Sequence, residues 1–524
     1  MPPGQVEVPG GPILARPASR LGHPLSMRTR RLARRPDPRV ILGLGAYFLT
    51  FALVRWLISP ALELDEAEQA LLSQWWQWGY SAQPPLYTWL QAGLNAIVGP
   101  NLLSLSLLRQ ALLFATYYLV YLVGLRVLRR HDLALAATLS LLLLPQVVWE
   151  NQREHTHSLL VLTLAAATLW QVLRLLEQRT LSGYLALGLL GALGLLAKYN
   201  YALFAAALGL ALLSLPAGRR LLLDLRLAAT VALALLVLTP HLLWLLEHAE
   251  VGAAVAEKLQ NQAQPTGPAN GFGRLLLSTL TFLTPLWLVF LGLFPGAPAA
   301  LAARRHQLPH IDLLLRYLAL VWPLLMLTLW TTDADQVKDR WLQPLLFVVP
   351  IVLFAGVVPT PAAQRQLRWF RALALAAGLL VLLIGALRIP LAPWTGVYTR
   401  LHQPIAELAW EIDARGDRAN LVLTDHYHLA GMLRTRWPHR RTLGPRADYL
   451  LPDPATLIAA ADGVLLIWDA GRHPDLPTAL AAPAQAAGLM PEAVAPVYLS
   501  APLRFSSDRM FQLGLIALPG VEHQ

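Results

Sequence analysis

Long apolar segments that are almost free of charge recur along the chain. A helix needs about 20 apolar residues to cross the ~30 Å hydrocarbon core of a bilayer. About eleven segments approach that length. They cover residues 41–59, 105–125, 132–148, 158–176, 183–197, 201–215, 224–246, 275–294, 311–330, 342–358 and 372–388. The pattern predicts an α-helical polytopic membrane protein.

The composition supports that prediction and excludes other classes. Of the 524 residues, 56% are hydrophobic and 14% are charged, whereas soluble domains carry roughly 25% charged residues. An ordinary soluble enzyme and a disordered protein are therefore excluded. The chain has no cysteine, which excludes disulfides, thiolate metal sites and cysteine nucleophiles.

Arginines between the apolar segments predict the orientation. Residues 1–40 are rich in Arg, Pro and Gly and are predicted to form a disordered cytoplasmic tail. Threading the segments from an inside N-terminus places five arginine clusters on the cytoplasmic side, as the positive-inside rule requires. These are Arg126/Arg129/Arg130, Arg174/Arg179, Arg219/Arg220, Arg304/Arg305 and Arg365/Arg368/Arg371. The net charge of +11 thus indicates topology, and no nucleic-acid partner is predicted.

This threading divides the chain into three parts. After the tail, residues 41–388 form a transmembrane domain whose first outer loop is 60–103. Residues 389–524 contain short β-type runs at 420–424 and 463–468 between helical patterns. Such alternation predicts a small α/β domain. The odd number of spans places it outside, which is the periplasm if the protein lies in a bacterial inner membrane.

The first outer loop holds an acidic pair. Apolar residues at helical spacing predict an amphipathic helix over 64–78 that lies in the membrane interface. Pro84-Pro85 breaks the pattern, and a second short helix is predicted over 86–98. Asp65 and Glu66 fall in the first turn of the first helix. They either cap that turn or take part in chemistry, and the residues alone favour neither.

Two cations near the outer ends of spans indicate an anionic partner. Lys198 interrupts an apolar stretch from 183 to 215, where an unpaired cation costs about 2.5–3.5 kcal/mol at mid-membrane. A lipid phosphate explains Lys198 better than snorkelling to the interface does. Arg340 is interpreted in the same way, because a guanidinium matches phosphate oxygens bidentately.

The histidines offer a metal site as an alternative. His155 and His157 are two residues apart, and His241 and His248 flank Trp244. Neither spacing is that of a known metal cage, so hydrogen bonding is favoured over metal binding. Asp425 stands in a run of aromatic and histidine residues that is interpreted as a helix cap in the outer domain.

The first loop resembles that of a known group of enzymes. Asp65-Glu66-Ala67, a Trp-rich stretch and then Gln83-Pro84-Pro85-Leu86 resemble the first periplasmic loop of GT-C glycosyltransferases. The loop also looks like that of bacterial glycosyltransferase family 39 proteins. That family includes protein O-mannosyltransferases and is similar to the lipid A aminoarabinose transferase. Weaker matches are 196–200, 240–244 and 338–344.

The resemblance implies an integral-membrane, inverting glycosyltransferase that uses a polyprenyl-phosphate-linked sugar at the periplasmic face. It makes Asp65 the general base, with Glu66 assisting or orienting. The substrate-binding residues that it implies are Gln83, Arg153, His157, Lys198, Tyr199, His241 and Arg340. Relatives often carry an acidic residue or His where this chain has Gln83, which can hydrogen-bond a sugar but supplies no charge.

Several alternatives stay open. The acceptor is a lipid, a glycan or a protein. No cofactor is assigned, and a divalent metal stays open as an alternative. The competing function is a membrane transporter or lipid flippase. Those proteins place ionisable residues in mid-bilayer cavities, whereas most of the ionisable residues here lie at the outer ends of spans. A scaffold with an outer sensor domain is a third hypothesis, which predicts that Asp65 is dispensable.

Overall fold

The computed structural model describes residues 35–251, 268–308, 310–332, 339–416, 419–444 and 452–520. Most of the predicted cytoplasmic tail, residues 1–34, lies outside the described residues. The first helix begins at Pro38, three residues before the predicted span, because Asp37 caps it by accepting from the Arg39 N–H. Proline in the first turn suits that start.

The transmembrane domain is built from helices, as predicted. Its first half contains α1 (Pro38–Ile58), α2 (Leu64–Leu72), α3 (Leu86–Val98), α4 (Leu102–Leu128), α5 (His131–Leu139), α6 (Asn151–Arg153), α7 (Thr156–Glu177), α8 (Leu181–Ala197), α9 (Tyr201–Leu213) and α10 (Pro216–Leu222). Its second half contains α11 (Leu227–Glu247), α12 (Pro268–Phe282), α13 (Leu286–Leu293), α14 (Ala297–Arg304), α15 (Ile311–Thr332), α16 (Asp339–Leu346), α17 (Val349–Ala355), α18 (Pro361–Leu387) and α19 (Ala392–Thr395).

Each of the eleven predicted segments coincides with helix, but the number of spans differs. Within the described residues, six helices are long and apolar enough to cross a membrane, or nine if each of three bent pairs counts as one span. The remainder are shorter: α8 has 17 residues, and the helical stretch 339–355 is interrupted between α16 and α17. The count of eleven is therefore not confirmed.

A bent helix carries one wall of the candidate site. After α5 and a 3₁₀ turn, Pro145 starts a π-helix over Gln146–Glu150 that continues into α6, and the two arms meet at 74°. Proline removes a backbone donor, and π-turns are frequent at functional sites. The bend turns residues 146–155 across the end of the bundle before α7 begins.

The first outer loop differs from prediction in one of its two helices. Helix α3 has the predicted bounds, but α2 ends at Leu72 and not at 78. Glu63 and Glu66 form a capping box at its start. Most of α2 is buried inside the protein, so its side chains mainly face other parts of the chain. Its location in the membrane interface stays a prediction.

The C-terminal domain has the predicted α/β character. Its elements are α20 (Ile405–Ala414), β1 (Leu421–Thr424), α21 (Tyr427–Arg436), β2 (Arg441–Leu443), α22 (Pro454–Ala459), β3 (Gly463–Asp469), α23 (Thr478–Ala486), β4 (Val497–Pro502) and β5 (Met510–Pro519). The sheet order is β2-β1-β3-β5-β4. The first three strands are parallel, and β5 and β4 join antiparallel to them.

This domain packs directly on the first outer loop. A Cβ at Gly431 of α21 would lie 2.1 Å from the Ala67 carbonyl oxygen of α2, so the backbones approach closely. Nε2 of His428 donates to the Leu62 carbonyl over 2.8 Å. Nε2 of Gln74 donates to the Thr442 carbonyl over 3.1 Å. The C-terminal domain and the first loop therefore lie on one side of the bundle.

Candidate active site

Asp65 lies where α2 meets the start of α7. Its Oδ2 accepts from the Thr156 N–H at 3.0 Å and from the Thr156 hydroxyl at 3.2 Å. Asp65 thus caps α7 and does not cap α2, the helix in which it lies. Its other carboxylate oxygen accepts no hydrogen bond from the described residues, and the side chain is half-buried. One oxygen is held by protein and the other can accept a proton from a ligand.

Glu66 occupies a different environment. Its side chain is 1% exposed and forms ion pairs with Arg55 at 2.6 Å and Arg109 at 3.0 Å. It also accepts from the Glu63 N–H at 2.9 Å. Burial raises its pKa, but the two arginines outweigh burial and hold the pKa at about 2. Glu66 is therefore ionised near pH 7, and its carboxylate oxygens already accept hydrogen bonds from the protein. It is better suited to orienting α2 than to transferring a proton.

The preceding carboxylate continues this network. Oε1 of Glu63 accepts from Arg388 of α18 at 2.7 Å, and Arg153 and Arg400 lie 4.0 Å from its carboxylate. Arg400 is also 3.6 Å from Glu154. Burial raises the pKa of Glu154, and the neighbouring Asp65 and Glu63 raise it further. The carboxylates of Asp65, Glu63 and Glu154 therefore lie close enough to interact.

Lys198 and His157 meet at the junction of α7 and α8. Nζ of Lys198 donates to the Ser158 hydroxyl at 2.6 Å. Nδ1 of His157 lies 3.2 Å from the Ala197 carbonyl, and its Nε2 lies 3.5 Å from Nε2 of Gln69. A carbonyl only accepts, so His157 carries its proton on Nδ1. The structure brings these two predicted residues together beside α2, and both are buried.

Tyr199 and His241, two further predicted residues, form a chain that ends on the first loop. The Tyr199 hydroxyl is 3.0 Å from Nε2 of His241, and Nδ1 of His241 is 2.7 Å from the Trp78 carbonyl. Because the carbonyl accepts, His241 donates from Nδ1, and its Nε2 accepts a hydrogen bond from the Tyr199 hydroxyl. A Cβ at Gly79 would lie 2.2 Å from the Trp244 ring, so the loop is fixed closely against α11.

Arg340 is positioned by contacts on either side of it. Nε2 of Gln146 donates to Asp339 at 3.4 Å, and Nε2 of Gln343 donates to the Gln146 carbonyl at 3.0 Å. Asn151 also donates to Gln343 at 3.1 Å. These bonds fasten α16 to the bent segment 146–153. Nε of Arg340 itself is buried and has no hydrogen-bond partner among the described residues.

His155 is a residue of the site that was not predicted to be functional. It adopts the left-handed conformation, with φ 70° and ψ 38°, which is strained for a residue with a Cβ and is enriched at functional sites. Burial lowers its pKa to about 4; Asp65 opposes that shift, and Arg340 and Lys198 add to it. His155 is therefore neutral near pH 7 and lies within reach of these three charges.

The remaining predicted residues lie around this centre. Gln83 precedes α3, and its backbone N–H donates to the Ser81 hydroxyl. Arg153 ends α6, with Nε buried and without a hydrogen-bond partner among the described residues. Both polar side-chain atoms of Asn200 are likewise buried and unpartnered, so Asn200 joins the candidates. The sequence feature that could have identified Asn200 is its position directly after the predicted site residues Lys198 and Tyr199.

No group of three or more potential metal ligands is found within the described residues. The cations Lys198 and Arg340 and the carboxylate of Asp65 all act electrostatically on His155. This arrangement can stabilise a departing phosphate while a hydroxyl loses its proton.

Two comparisons with solved structures concern the fold. The chain matches ArnT from Cupriavidus metallidurans in the apo state with a TM-score of 0.56 and 14% identity, over 90% of this chain and 98% of that one. It matches the same protein bound to undecaprenyl phosphate with a TM-score of 0.58 and 13% identity, over 92% and 98%. These likenesses confirm the predicted GT-C fold.

Sequence comparisons identify the family. Residues 82–244 match the family described as dolichyl-phosphate-mannose-protein mannosyltransferase. The lipopolysaccharide core galacturonosyltransferase RgtB of Rhizobium johnstonii is 34% identical over 83% of this chain and 88% of its own length. RgtA of the same organism is 30% identical over 91% and 93%. The predicted glycosyltransferase class is confirmed, and nothing supports the transporter alternative. The chain is a membrane glycosyltransferase of GT-C fold and belongs to the same family as RgtA and RgtB.

Proposed function

We propose that this glycosyltransferase moves a sugar from a polyprenyl phosphate to a glycolipid and uses Asp65 as general base. The observation that carries the proposal is the unequal use of the two Asp65 oxygens. Thr156 holds Oδ2 from two sides, while Oδ1 is left for a ligand. A helix cap does not require its second carboxylate oxygen to stay unbound in a half-buried position near His155, on which Arg340 and Lys198 also act.

The reaction is a single displacement. The acceptor hydroxyl oxygen forms a bond to the anomeric carbon, and the bond from that carbon to the phosphate oxygen breaks. The phosphate leaves with the electron pair, and the hydroxyl proton passes to Oδ1 of Asp65. Since attack and departure occur on opposite faces, the anomeric configuration inverts.

Lys198 and Arg340 receive the departing phosphate. Nζ of Lys198 is held by Ser158, and Arg340 is held between two contacts of α16. Charges that are fixed before the reaction stabilise a developing anion more than mobile charges do, because nothing has to reorganise. A polyprenyl phosphate fits this role, and ArnT, which shares the fold, has been solved with undecaprenyl phosphate.

The relatives favour a uronic acid as the sugar and the lipopolysaccharide core as the acceptor, because both are named core galacturonosyltransferases. His155 stays neutral near pH 7, and Tyr199, His157 and Gln83 supply hydrogen-bonding groups for sugar hydroxyls. The site would face the periplasm of a bacterial inner membrane, since the arginine-rich loops predict that the opposite ends are cytoplasmic.

Transfer by the purified full-length protein tests the proposal. The protein is mixed with polyprenyl-phosphate galacturonate and lipopolysaccharide core, and the product is followed by mass spectrometry. We expect the acceptor to gain one uronic acid with inverted anomeric configuration. A protein that transfers sugar only from a nucleotide donor, or a product with retained configuration, would contradict the proposed mechanism.

A further inference from the structure

A cleft lined by arginines lies beside the site and is not used by the reaction as described. It has a cavity volume of about 40 Å³ and is bordered by α1, the bent segment before α7, α18 and Leu401. Three of its lining residues are arginines, and none is acidic. They are Arg55, Arg153 and Arg388. We call it the arginine cleft.

Two cations of the arginine cleft retain free donors, whereas Arg55 donates to Glu66 and to the Ser59 and Ala61 carbonyls. Arg153 makes no hydrogen bond with the described residues: its nearest carboxylates, Glu150 and Glu63, are 3.8 and 4.0 Å away, and its Nε is buried without a partner. Arg388 uses one nitrogen for Glu63. Buried guanidinium donors without acceptors are costly, so the cluster is suited to a ligand that brings oxygen atoms.

Trp149 holds the two guanidinium groups in place. Arg153 lies over its ring at 5.6 Å from the centroid, and Arg388 lies at 5.4 Å. Cation–π contacts restrain the two side chains without consuming their N–H donors. Planar, restrained guanidinium groups are the favoured partners of phosphate and carboxylate.

The other wall of the arginine cleft is apolar and belongs to two spans. Phe51, Val54 and Gly385 line it, on helices that qualify as membrane spans. Deeper in the bundle these helices are joined, since the Tyr47 hydroxyl donates to the Gly378 carbonyl at 3.1 Å. Cationic groups at the ends of two spans above an apolar floor match a lipid with an anionic headgroup.

The arginine cleft and the proposed phosphate site are formed by different elements. Lys198 and Arg340 belong to the ends of α8 and α16, whereas the arginine cleft is formed by α1, the bent segment before α7, α18 and Leu401. Asp65 is linked to both: Arg55 of the cleft binds the adjacent Glu66, and Arg153 precedes by three residues the Thr156 that binds Asp65. In an inverting displacement, the acceptor hydroxyl attacks the anomeric carbon from the side opposite the leaving phosphate. The acceptor and the phosphate therefore need separate binding sites, with the general base beside the acceptor.

We infer that the arginine cleft binds the glycolipid acceptor through a phosphate or carboxylate of the acceptor and so presents its hydroxyl to Asp65. This inference rests on the proposed function, because it concerns the acceptor of that reaction. Arg153 and Arg388 are the residues that contact the anionic group, and Phe51 and Gly385 form the surface for an acyl chain.

Two variants test the inference by different means. Arg153→Gln removes a cation that makes no hydrogen bond, and Gly385→Leu fills the arginine cleft while keeping every charge. A Cβ at Gly385 meets only the Phe51 ring, at 3.8 Å, so the fold accommodates a side chain there. The controls are the exposed Arg368→Gln at the far end of α18, and Gly43→Leu on α1, where a Cβ meets nothing within 4 Å.

Steady-state transfer is measured with lipopolysaccharide core as acceptor. We expect both cleft variants to raise the KM for the acceptor about tenfold or more, while the KM for the donor and both controls change less than about twofold. Acceptor stripped of phosphate with hydrogen fluoride, or with its carboxyls reduced, identifies the anionic group. The modified acceptor that has lost the recognised anionic group should bind the wild-type protein weakly. Its binding should be as weak as that of the intact acceptor to Arg153→Gln.

Acceptor binding to protein carrying Asp65→Asn separates this inference from the proposed function. It needs no turnover, so adding Arg153→Gln should weaken binding of fluorescent lipopolysaccharide about tenfold even if the transfer reaction has been assigned wrongly. Unchanged acceptor binding and KM in both cleft variants would overturn the inference, as would a rise in the KM for the donor in place of the acceptor.

Discussion

Three carboxylates within four residues have three different environments. Glu63 binds Arg388, Glu66 binds Arg55 and Arg109, and Asp65 caps α7. The sequence predicts the acidic pair and the capping of α2, in which Glu66 takes part, but not that Asp65 caps α7 through Thr156, 91 residues away. It does not predict the partners, since Arg109 is 43 residues from Glu66 and Arg388 is 325 residues from Glu63. Only the packed bundle decides which carboxylate keeps an oxygen free.

Glu66→Gln should lower stability more than it alters chemistry. Removing one member of a buried ion pair leaves the other charge uncompensated and typically costs about 3–5 kcal/mol. The contribution of Glu66 is full above the unfolded pKa near 4.5 and is lost as the pH falls toward its folded pKa of about 2. Thermal unfolding in detergent at pH 7 measures this loss of stability, with Glu407→Gln as the exposed control.

An equal unfolding temperature in Glu66→Gln and wild type would show that the buried ion pair is not formed. Loss of transfer without loss of stability would assign Glu66 to catalysis and not to orientation.

Arg340→Ala should weaken use of the donor. Losing a buried charge contact of this kind costs about 2–5 kcal/mol, so kcat/KM for the polyprenyl-phosphate donor should fall at least about 30-fold with little change in unfolding temperature. Arg305→Ala, on the opposite side of the bundle, is the control. Normal donor kinetics in Arg340→Ala would exclude Arg340 from the phosphate site.

At the scale of elements, local signals predicted helix positions but not helix surroundings. The predicted second loop helix, 86–98, agrees with α3 because Pro85 and Gly99 bound it. Helix α2 was expected to lie in the interface because one of its faces is polar. The C-terminal domain covers the opposite, apolar face at Ala67 and Ala70 through α21, about 360 residues later in the chain, and no local pattern encodes such a contact.

A second local prediction on α21 was wrong in detail. The turn before α21 is capped by the ring of His426, which accepts from the His428 N–H, and not by Asp425. The carboxylate of Asp425 instead accepts from the Asp469 N–H at the end of β3. Asp425 therefore binds the end of β3 and does not cap α21.

The contact between α21 and the first loop should depend on pH. Burial lowers the pKa of His428 to about 4, although its bond to Leu62 opposes that shift. The unfolded chain then binds a proton more readily than the folded protein does. The contribution of His428 to the free energy of unfolding is therefore complete above about pH 6.5 and falls by up to about 3 kcal/mol as the pH approaches 4. His428→Gln keeps a donor for Leu62 and should flatten this dependence between pH 4 and 6.5.

Unfolding temperatures of both proteins across that range measure the difference, and other buried histidines affect both equally. Parallel curves for His428→Gln and wild type would contradict the burial of a neutral His428.

At the scale of the whole molecule, hydropathy and arginine placement predicted a polytopic bundle with an outer α/β domain, because both properties are additive along the chain. They did not give the number of spans. Helix α8 is short, and several other helices bend by 67–116° at breaks, so apolar length alone does not separate one broken span from two. The C-terminal domain packs on the first loop, so both lie on one side of the bundle whatever the number of spans.

Thiol labelling tests that orientation. The chain lacks cysteine, so single cysteines report cleanly. Ala486→Cys on the exposed end of α23 should react with an impermeant maleimide on spheroplasts, and Ala362→Cys at the exposed start of α18 should react only after permeabilisation. The reverse pattern would place the active site on the cytoplasmic side.

The most direct test of the central claim is sugar transfer by purified Asp65→Asn protein, measured beside donor binding by the same preparation. The Asn carbonyl oxygen can still accept from Thr156, so the cap on α7 is kept, but the proton acceptor is lost. Turnover should fall about 100-fold or more while donor affinity and unfolding temperature stay close to wild type. Near-normal transfer would falsify the assignment of Asp65 as general base, and loss of donor binding together with transfer would show that Asp65 holds the donor instead.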